Sequence, residues 1–383
     1  MIDAIIQRKN MLPRHFLLLP PKDDRHFLSL QRKSRLLLLR QFLHDPFTEC
    51  SPKFHKQLTQ FKKFLTVILK TLKKTVVTLI GHIDVSTLLR SAILRIDHPQ
   101  QLLNTAIPIF LSLLPKTQES FVWDYPCSIY NKQAERIAYT GSGIDIQNET
   151  LKIEAFEIPS QHRFSNGIEF SLLDSNPISL VEAHPDKEGN AIDLADHPTA
   201  HWYAQIEKAI HHIQQALPTW SQALPCALQR IIPVGYHEQK HMSASYEHAL
   251  GLCYISLHPS SFTIAEAIIH ETQHNKLNTA LWMDDIAHNA SSQWTTSPIR
   301  PDLRPLKGVI LAVHAFLPVA AFYVHHQKLH PALRHRLKDV MHNNDQALKT
   351  LKEKMAPTPL GKILLSEMCA LHEALKKLMV DVV

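Results

Sequence analysis

One uninterrupted helix-forming segment, residues 262–281, constrains the fold more than any other part of the sequence. It contains neither Pro nor Gly over twenty positions. Thr263 followed by Glu266 matches a capping box, which predicts the start of a helix at this point. Ile264 and Ile268 fall on one side of such a helix and belong to an apolar face. We therefore expect an amphipathic helix that begins at about residue 262.

The same segment contains the pattern HExxH, as His270-Glu271-Thr272-Gln273-His274. On a helix, two histidines four positions apart project from one face and can bind one cation with both imidazoles. Glu271 lies about 100° around the helix from His270, where it can approach the open side of the metal or its bound water. The plainer interpretation is a pair of surface histidines. The helical context favours a mononuclear metal site on His270 and His274, with Glu271 as its catalytic carboxylate.

A catalytic metal site with open positions needs a third protein ligand. The metzincin pattern is excluded, because Leu277 and Ala280 stand where it requires Gly and His. Among the candidates, His314 is favoured because its predicted helix is apolar nearly all round, and a buried imidazole needs a partner. It could instead be a core histidine hydrogen-bonded to a neighbour. The other candidates are Asp284, Asp285 and His288.

The helix of His314 also contains Pro318, four positions later. A proline cannot donate a hydrogen bond to the carbonyl of the residue four positions before it. We therefore expect the helix to bend there, with the carbonyl group of His314 lacking its usual donor.

A stiff, proline-rich decapeptide, residues 297–306, separates the two predicted helices. Its three prolines restrict the backbone around Arg300 and Arg304. Arginines held in this way suit the bidentate binding of a carboxylate. The alternative is that they cap helices or pair with acids in a structural turn. We expect at least one of the two to bind a ligand.

The pattern along the chain predicts an α+β, mainly helical fold: a helical N-terminal region, a small central β-sheet and a C-terminal helical core that carries the HExxH helix. The predicted regions are 1–120 (basic and helical), 121–198 (small and β-rich) and 199–383 (helical and metal-binding). Strands are expected at 137–139, 151–158, 168–173 and 249–257, and C-terminal helices at 199–216, from about 262, from about 307 and over 332–380. Strand 249–257 is either a core strand or a strand that borders the cleft and adds an extended peptide.

Composition narrows the functional class. Apolar residues make up 45% of the chain, which is too high for disorder, and nine glycines without a phosphate-binding loop disfavour nucleotide folds. The five dispersed cysteines indicate reduced thiols in a cytoplasm, and no signal peptide or membrane span is expected. Residues 1–90 hold 17 Lys and Arg against 6 Asp and Glu, which suits either a solvated helix face or an acidic partner. No nucleic-acid-binding motif is present, so nucleic acid is disfavoured as the partner.

Three stretches together resemble the HExxH-motif family of peptide-modifying enzymes found with ribosomally made natural-product precursors. They are residues 269–278, 297–306 and 308–316, with a weaker similarity at 172–177. The resemblance is good over residues 240–325, faint over 80–180 and absent elsewhere. The chain carries Phe316 where some relatives carry His.

The resemblance implies an iron(II)- and 2-oxoglutarate-dependent dioxygenase that hydroxylates the β-carbon of a residue in a precursor peptide. It implies that His270, His274 and His314 form a facial triad, which leaves positions for 2-oxoglutarate and O₂. Arg300 or Arg304 would then bind the distal carboxylate of 2-oxoglutarate. The peptide substrate could carry an acidic leader segment.

Two alternatives remain open from the sequence. The first is a zinc metallopeptidase that uses Glu271 as general base, since HExxH alone suggests zinc and hydrolysis. The second is a non-catalytic partner that binds an acidic peptide through its basic N-terminal helices. The sequence gives no basis for choosing a particular peptide or an oligomeric state.

Overall fold

The computed structural model describes residues 25–114, 121–123, 127–130, 136–139, 144–145, 162–181, 189–239, 241–296, 303–327 and 333–380. Its helices, numbered along these ranges, are α1 (Arg25–His44), α2 (Pro52–Thr71), α3 (Lys73–Ile80), α4 (Ile83–Ile93), α5 (Pro99–Ser112), α6 (Thr199–Ala216), α7 (Pro218–Ala227), α8 (Ser261–Leu281), α9 (Leu306–His326), α10 (Leu333–Lys354) and α11 (Pro359–Val380). Its strands are β1 (Val122–Trp123), β2 (Cys127–Tyr130), β3 (Arg136–Tyr139), β4 (Ile144–Asp145), β5 (His162–Arg163), β6 (Glu169–Phe170), β7 (Arg230–Tyr236), β8 (Ser243–Ala244), β9 (Leu252–Leu257), β10 (Trp294–Thr296) and β11 (Leu303–Pro305). The predicted α+β, mainly helical fold is confirmed. The predicted strand at 151–158 lies outside the described residues.

The main sheet has the strand order β5-β6-β7-β9-β8. Strands β6, β7 and β9 are parallel, whereas β5 and β8 pair antiparallel with their neighbours. The sheet joins strands from both sides of residue 198. Strand β9 is buried along its whole length and lies between β7 and β8. It is therefore a core strand, and β8 is the strand that forms the sheet edge nearest the HExxH helix.

The N-terminal helices enclose an apolar cluster of their own. Its aromatic centre is Phe61, whose ring lies 5.9 Å from that of Phe110 and 5.5 Å from that of Phe121, measured between centroids. The cluster extends from Leu38 to Trp123, while a larger one covers residues 164–375 and includes Phe27 of α1. Packing of large buried side chains thus accounts for the helical N-terminal region.

A buried ion network ties the N-terminal helices to the sheet. Arg230, fully buried at the start of β7, donates to Asp84 of α4 at 2.6 and 3.1 Å and to Glu169 of β6 at 3.0 Å. Burial raises the pKa of the Asp84 carboxyl, but the charge of Arg230 outweighs it and holds that pKa below its ordinary value. The guanidinium thus compensates two carboxylates that burial alone would disfavour.

Helix α8 lies between the sheet and the other C-terminal helices. It contacts β9 on one side and α6, α7 and α9 on others, so its residues are buried nearly all round. The predicted helix is confirmed, but the predicted capping box is wrong. The N-cap is Ser260, without a side-chain capping bond, and Glu266 instead pairs with Arg336 and Tyr323. The carboxylate that the local spacing assigned to the helix cap instead binds Arg336, which lies 70 residues further along the chain.

Pro318 lies inside α9, and the helix continues through it. The carbonyl oxygen of His314, which the proline cannot serve, accepts a hydrogen bond of 3.3 Å from the side-chain amide of Gln273 on α8. The amide oxygen of Gln273 in turn accepts from the indole N–H of Trp220 at 3.1 Å. One residue of the HExxH segment therefore joins three helices through buried hydrogen bonds.

The C-terminal 332–380 segment is two helices rather than one. The chain leaves the helical path after Lys354 and resumes it at Pro359, with Pro357 between. Pro357 lacks the backbone donor that a continuous helix would need there. The amide of His288 donates instead to the carbonyl of Ala356, so this break docks onto the loop that follows α8.

Within the described ranges, α9 alone is long and apolar enough for a membrane span, and α3 with α4 would qualify only as a span bent by 74°. Of the apolar window in α9, 72% is buried inside the fold, as in the core helix of a soluble protein. The described cysteines Cys50, Cys226, Cys253 and Cys369 are not joined in disulfides.

Candidate metal centre

His270 and His274 occupy successive turns of α8 on one face. Their ring centroids are 4.3 Å apart, with the rings nearly perpendicular. Both residues are half-buried, in a helix whose other positions are mostly buried. The two predicted ligands are therefore brought together at a face that solvent reaches, and two adjacent imidazoles suit zinc or iron(II).

Glu271 points to the edge of the sheet. Its two carboxylate oxygens accept hydrogen bonds of 2.6 Å from the hydroxyls of Ser243 and Ser245. Burial raises the pKa of Glu271, but the neighbouring His270 and His274, together with the two hydroxyls, outweigh it and lower the pKa below its ordinary value. The carboxylate is therefore held ionised and in one orientation.

The two serines lie on the same side of the edge of the sheet because alternate residues of an extended chain share a face. Ser243 is in β8 and Ser245 follows directly after it. Sequence reasoning missed both residues. Their spacing of two positions was a usable signal, but only once a strand was assigned to this short polar segment.

One turn before His270, Glu266 lies on the same face of α8, since residues four apart are neighbours on a helix. Arg336 of α10 and Tyr323 of α9 bind its carboxylate, the tyrosine at 2.5 Å. Burial raises the pKa of Glu266, but Arg336 outweighs it and the net shift is downward. Glu266 is therefore an ion-paired neighbour of His270, engaged with α9 and α10.

His241 precedes β8 and adds a further imidazole close to this centre. Burial lowers its pKa to about 4, while Glu266 and Glu271 oppose that shift through their charges. His270 also acts on it electrostatically. His241 is therefore neutral at neutral pH, the form in which an imidazole can bind a metal. It was not among the residues predicted from the sequence.

Phe316 of α9 faces the histidine pair. The ring centroid of Phe316 lies 4.6 Å from that of His270 and 5.9 Å from the guanidinium carbon of Arg336. His314 is two positions earlier, so it projects about 200° around α9 from Phe316. Helix phase thus puts the aromatic residue, rather than the predicted third ligand, against His270.

His314 is fully buried, and its carbonyl accepts from Gln273. Burial lowers the pKa of its imidazole well below the ordinary value, and Lys276 and His274 lower it further, while the backbone of Gln273 opposes the shift. Neither ring nitrogen has a well-oriented hydrogen-bond partner within the described part of the chain. The ring is thus neutral, as a ligand must be, and its role as third ligand stays a prediction.

Across the described residues, no group of three or more His, Cys, Asp or Glu side chains is arranged to hold a metal ion. The other candidates, Asp284, Asp285 and His288, are exposed on the loop after α8. The residues present thus fit a metal bound by two imidazoles of α8, with the remaining positions open to water, a co-substrate or a further ligand. His270 and His274 carry this fit.

Of the two predicted carboxylate-binding arginines, the structure describes one. Arg304 is half-buried in β11, where it lies opposite Thr295 of β10 in an antiparallel pair that leads directly into α9. Arg300 lies outside the described residues. The structure thus places one of them on a short hairpin at the start of the helix that carries Phe316.

Comparison with known proteins adds no assignment, since no family model and no curated protein matches the chain. The resemblance carried by the HExxH segment and the arginine-bearing stretch remains an expectation from those residues.

Proposed function

We propose that the chain is an iron(II)- and 2-oxoglutarate-dependent dioxygenase that hydroxylates the β-carbon of a residue in a ribosomally made precursor peptide. The single observation that carries this choice over hydrolysis is the state of Glu271, both of whose carboxylate oxygens are bound by serine hydroxyls. The resemblance of residues 269–278, 297–306 and 308–316 supplies the substrate class.

A hydrolytic base must take a proton from a metal-bound water, and it needs a carboxylate oxygen directed at that water. Both oxygens of Glu271 are instead engaged with serine hydroxyls at the sheet edge. A hydroxylase places no such demand on this residue, because the metal and its co-substrate perform the oxidation. In that role Glu271 supports the orientation of the helix that carries His270 and His274.

In this proposal His270 and His274 hold the iron, and His314 is the candidate third ligand. Bound iron(II) supplies the redox chemistry by which 2-oxoglutarate, O₂ and a C–H group become succinate, CO₂ and a hydroxylated product. Arg304 or Arg300 binds the distal carboxylate of 2-oxoglutarate. Phe316 packs against His270 and shields one side of that ring from water.

The surroundings suit a cytoplasmic enzyme that acts on a peptide. The described cysteines are not joined in disulfides, in keeping with a reducing compartment. The excess of Lys and Arg over residues 1–90 offers electrostatic attraction to an acidic leader segment. Both features belong to the proposal and are tested through it.

The test uses the full chain, purified without metal and loaded with iron(II) under anaerobic conditions. With ascorbate, 2-oxoglutarate and O₂ it should release succinate, and more in the presence of the right peptide. His270→Ala combined with His274→Ala should abolish both iron binding and succinate release. His342→Ala, which removes an exposed histidine from α10, is the matched control and should change neither. Full succinate release by the double variant would contradict the proposal.

A zinc metallopeptidase is the second candidate, and one observation favours it. Strand β8 is a sheet edge beside Glu271, and an extended peptide can pair with such an edge. This function predicts peptide cleavage with zinc and no co-substrate, abolished by Glu271→Gln. A peptide that gains one oxygen atom and stays intact would exclude it in favour of the dioxygenase.

A further inference from the structure

A polar cleft lies where the N-terminal helices meet the C-terminal part of the fold. Its volume is about 30 Å³, and the N-terminal side contributes Ser34 and Arg35 of α1 and Arg90 of α4. On the other side are Gln229 and Thr279. Thr279 is nine positions after His270 on α8, so it lies about 180° around that helix. The Arg35–Arg90 cleft is therefore distinct from the candidate metal centre.

Arg90 is a buried cation with incomplete hydrogen bonding. Its side chain belongs to a residue that is only 4% exposed, and no acceptor within the described residues reaches its Nε. Its Nη2 lies 3.4 Å from the hydroxyl of Ser34, and the guanidinium lies 5.4 Å from the centroid of the Trp282 ring. Both neighbours contact the guanidinium, but neither carries a negative charge that would neutralise it.

Arg35 brings a second guanidinium to the same cleft, and Gly81 makes the room for it. A Cβ atom built on Gly81 would lie 2.1 Å from the Nε of Arg35. The backbone of Gly81 has φ of −85°, which any residue adopts, so the glycine serves the close approach of the arginine rather than a special turn. The glycine at position 81 thus leaves space for the Arg35 side chain, which lines the cleft.

The two positive charges lack a carboxylate partner among the residues the structure describes. Burial and, to a smaller extent, the charge of Arg35 together lower the pKa of Arg90 to about 9, with no Asp or Glu opposing the shift. Burial also lowers the pKa of Arg35, and Cys226 is the group that opposes it. Buried charges are ordinarily paired, because leaving water is costly. An anion in the cleft would remove that cost.

We propose that the Arg35–Arg90 cleft is a binding site for a small oxyanion, either a carboxylate group or inorganic phosphate. Two guanidinium groups donate to such an anion in the manner typical of arginine sites, and the side chains of Ser34 and Gln229 add neutral donors. The volume of the cleft suits a group of a few atoms. The bound anion links α1 and α4 to the C-terminal side of the cleft, which Gln229 contributes.

Binding is measured by titration calorimetry on the full chain, with inorganic phosphate and acetate as separate probes at constant ionic strength. The wild-type protein should bind at least one of them saturably, and the bound anion should raise the midpoint of thermal unfolding by mass action. Saturable binding of phosphate alone would identify the natural anion as a phosphate, and saturable binding of acetate alone would identify it as a carboxylate. Absence of saturable binding of both probes overturns the proposal.

Gly81→Ala is the decisive variant, because it displaces the Arg35 side chain while keeping every charge and a permitted backbone. It should weaken binding by about 10- to 100-fold, the loss expected for one charge-assisted hydrogen bond. Arg90→Lys tests the second guanidinium but risks misfolding, so its circular dichroism is compared first. Arg40→Gln, on an exposed position of α1, removes one charge outside the cleft and should leave affinity unchanged.

Wild-type affinity in a folded Gly81→Ala protein, or equal losses in Gly81→Ala and Arg40→Gln, would refute the site. The combined His270→Ala and His274→Ala variant should retain anion binding, since the two sites lie on opposite sides of α8. A chain without oxygenase activity could therefore still bind an anion in this cleft, and a chain that binds no anion could still be an oxygenase.

Discussion

Gln273 should couple energetically to Pro318, and this coupling can be measured by a double-mutant cycle. The first perturbation is Gln273→Leu, which keeps the volume of the side chain close to the original and removes its amide. Two buried groups then lose their partner, the indole N–H of Trp220 and the carbonyl oxygen of His314. Each unsatisfied group costs about 1–3 kcal/mol, so the variant should lose about 2–6 kcal/mol of unfolding free energy.

The second perturbation is Pro318→Ala, which restores a backbone N–H to α9. That N–H can donate to the carbonyl of His314, so this carbonyl no longer depends on Gln273. In the Pro318→Ala background, Gln273→Leu leaves only the Trp220 indole unsatisfied and should cost about 1–3 kcal/mol. The expected coupling between the two positions is therefore about 1–3 kcal/mol, with the double variant more stable than the sum of the single effects.

The assay is equilibrium unfolding in urea followed by circular dichroism, with the m value checked in all four proteins. Leu311→Met serves as a control in α9, because it alters a partly buried apolar side chain of the same helix without touching the hydrogen bonds. Effects that add within about 0.3–0.5 kcal/mol would refute the reasoning, since that is the spread seen for independent sites. They would mean that the carbonyl of His314 is satisfied without Gln273.

Three further predictions follow from other parts of the structure. Phe316→His places an imidazole beside His270 and should tighten cobalt(II) binding at the histidine pair by about tenfold or more, read from the visible spectrum, whereas unchanged affinity would show that position 316 cannot reach the metal. Arg230→Met leaves the Asp84 carboxylate buried without its guanidinium partner and leaves Glu169 with Arg163 alone, so it should cost about 3–5 kcal/mol near neutral pH. That cost should shrink below about pH 4. The lowered pKa of Asp84 stabilises the wild-type fold at pH values above the ordinary pKa of the carboxyl, and this contribution is lost as the pH falls through its pKa in the folded protein. A cost that does not change with pH in urea unfolding would contradict this prediction. Glu271→Gln replaces one acceptor oxygen by a donor between two serine hydroxyls, so it should lower the thermal midpoint while 2-oxoglutarate turnover survives in part; complete loss of turnover in a fully folded variant would assign Glu271 a direct role in the chemistry.

The sequence predicted what depends on local pattern. Helices α6 and α8 follow from periodicity and from the absence of Pro and Gly, whereas α9 and strand β9 follow from their apolar runs, α9 despite Pro318. The proximity of His270 to His274 follows from helical spacing alone. The role of Glu266 was not predictable in this way, since its partner Arg336 lies on α10 and only the packing of three helices brings them together. The orientation of α9 was also beyond local pattern, because a helix that is apolar nearly all round gives no sign of which face meets α8.

The two positions between Glu271 and His274 show why a short motif understates what its helix must satisfy. In the pattern HExxH these positions are unrestricted, yet Thr272 and Gln273 are both fully buried in this chain. The hydroxyl of Thr272 donates to the carbonyl of Ile268 at 2.6 Å, and Gln273 joins α7 and α9. Because the rotation of the helix decides which groups face the remaining positions of a metal held by the histidine pair, these side chains help to define the site. The motif supplies the donors, and the residues within it that contact other helices set the direction in which those donors point.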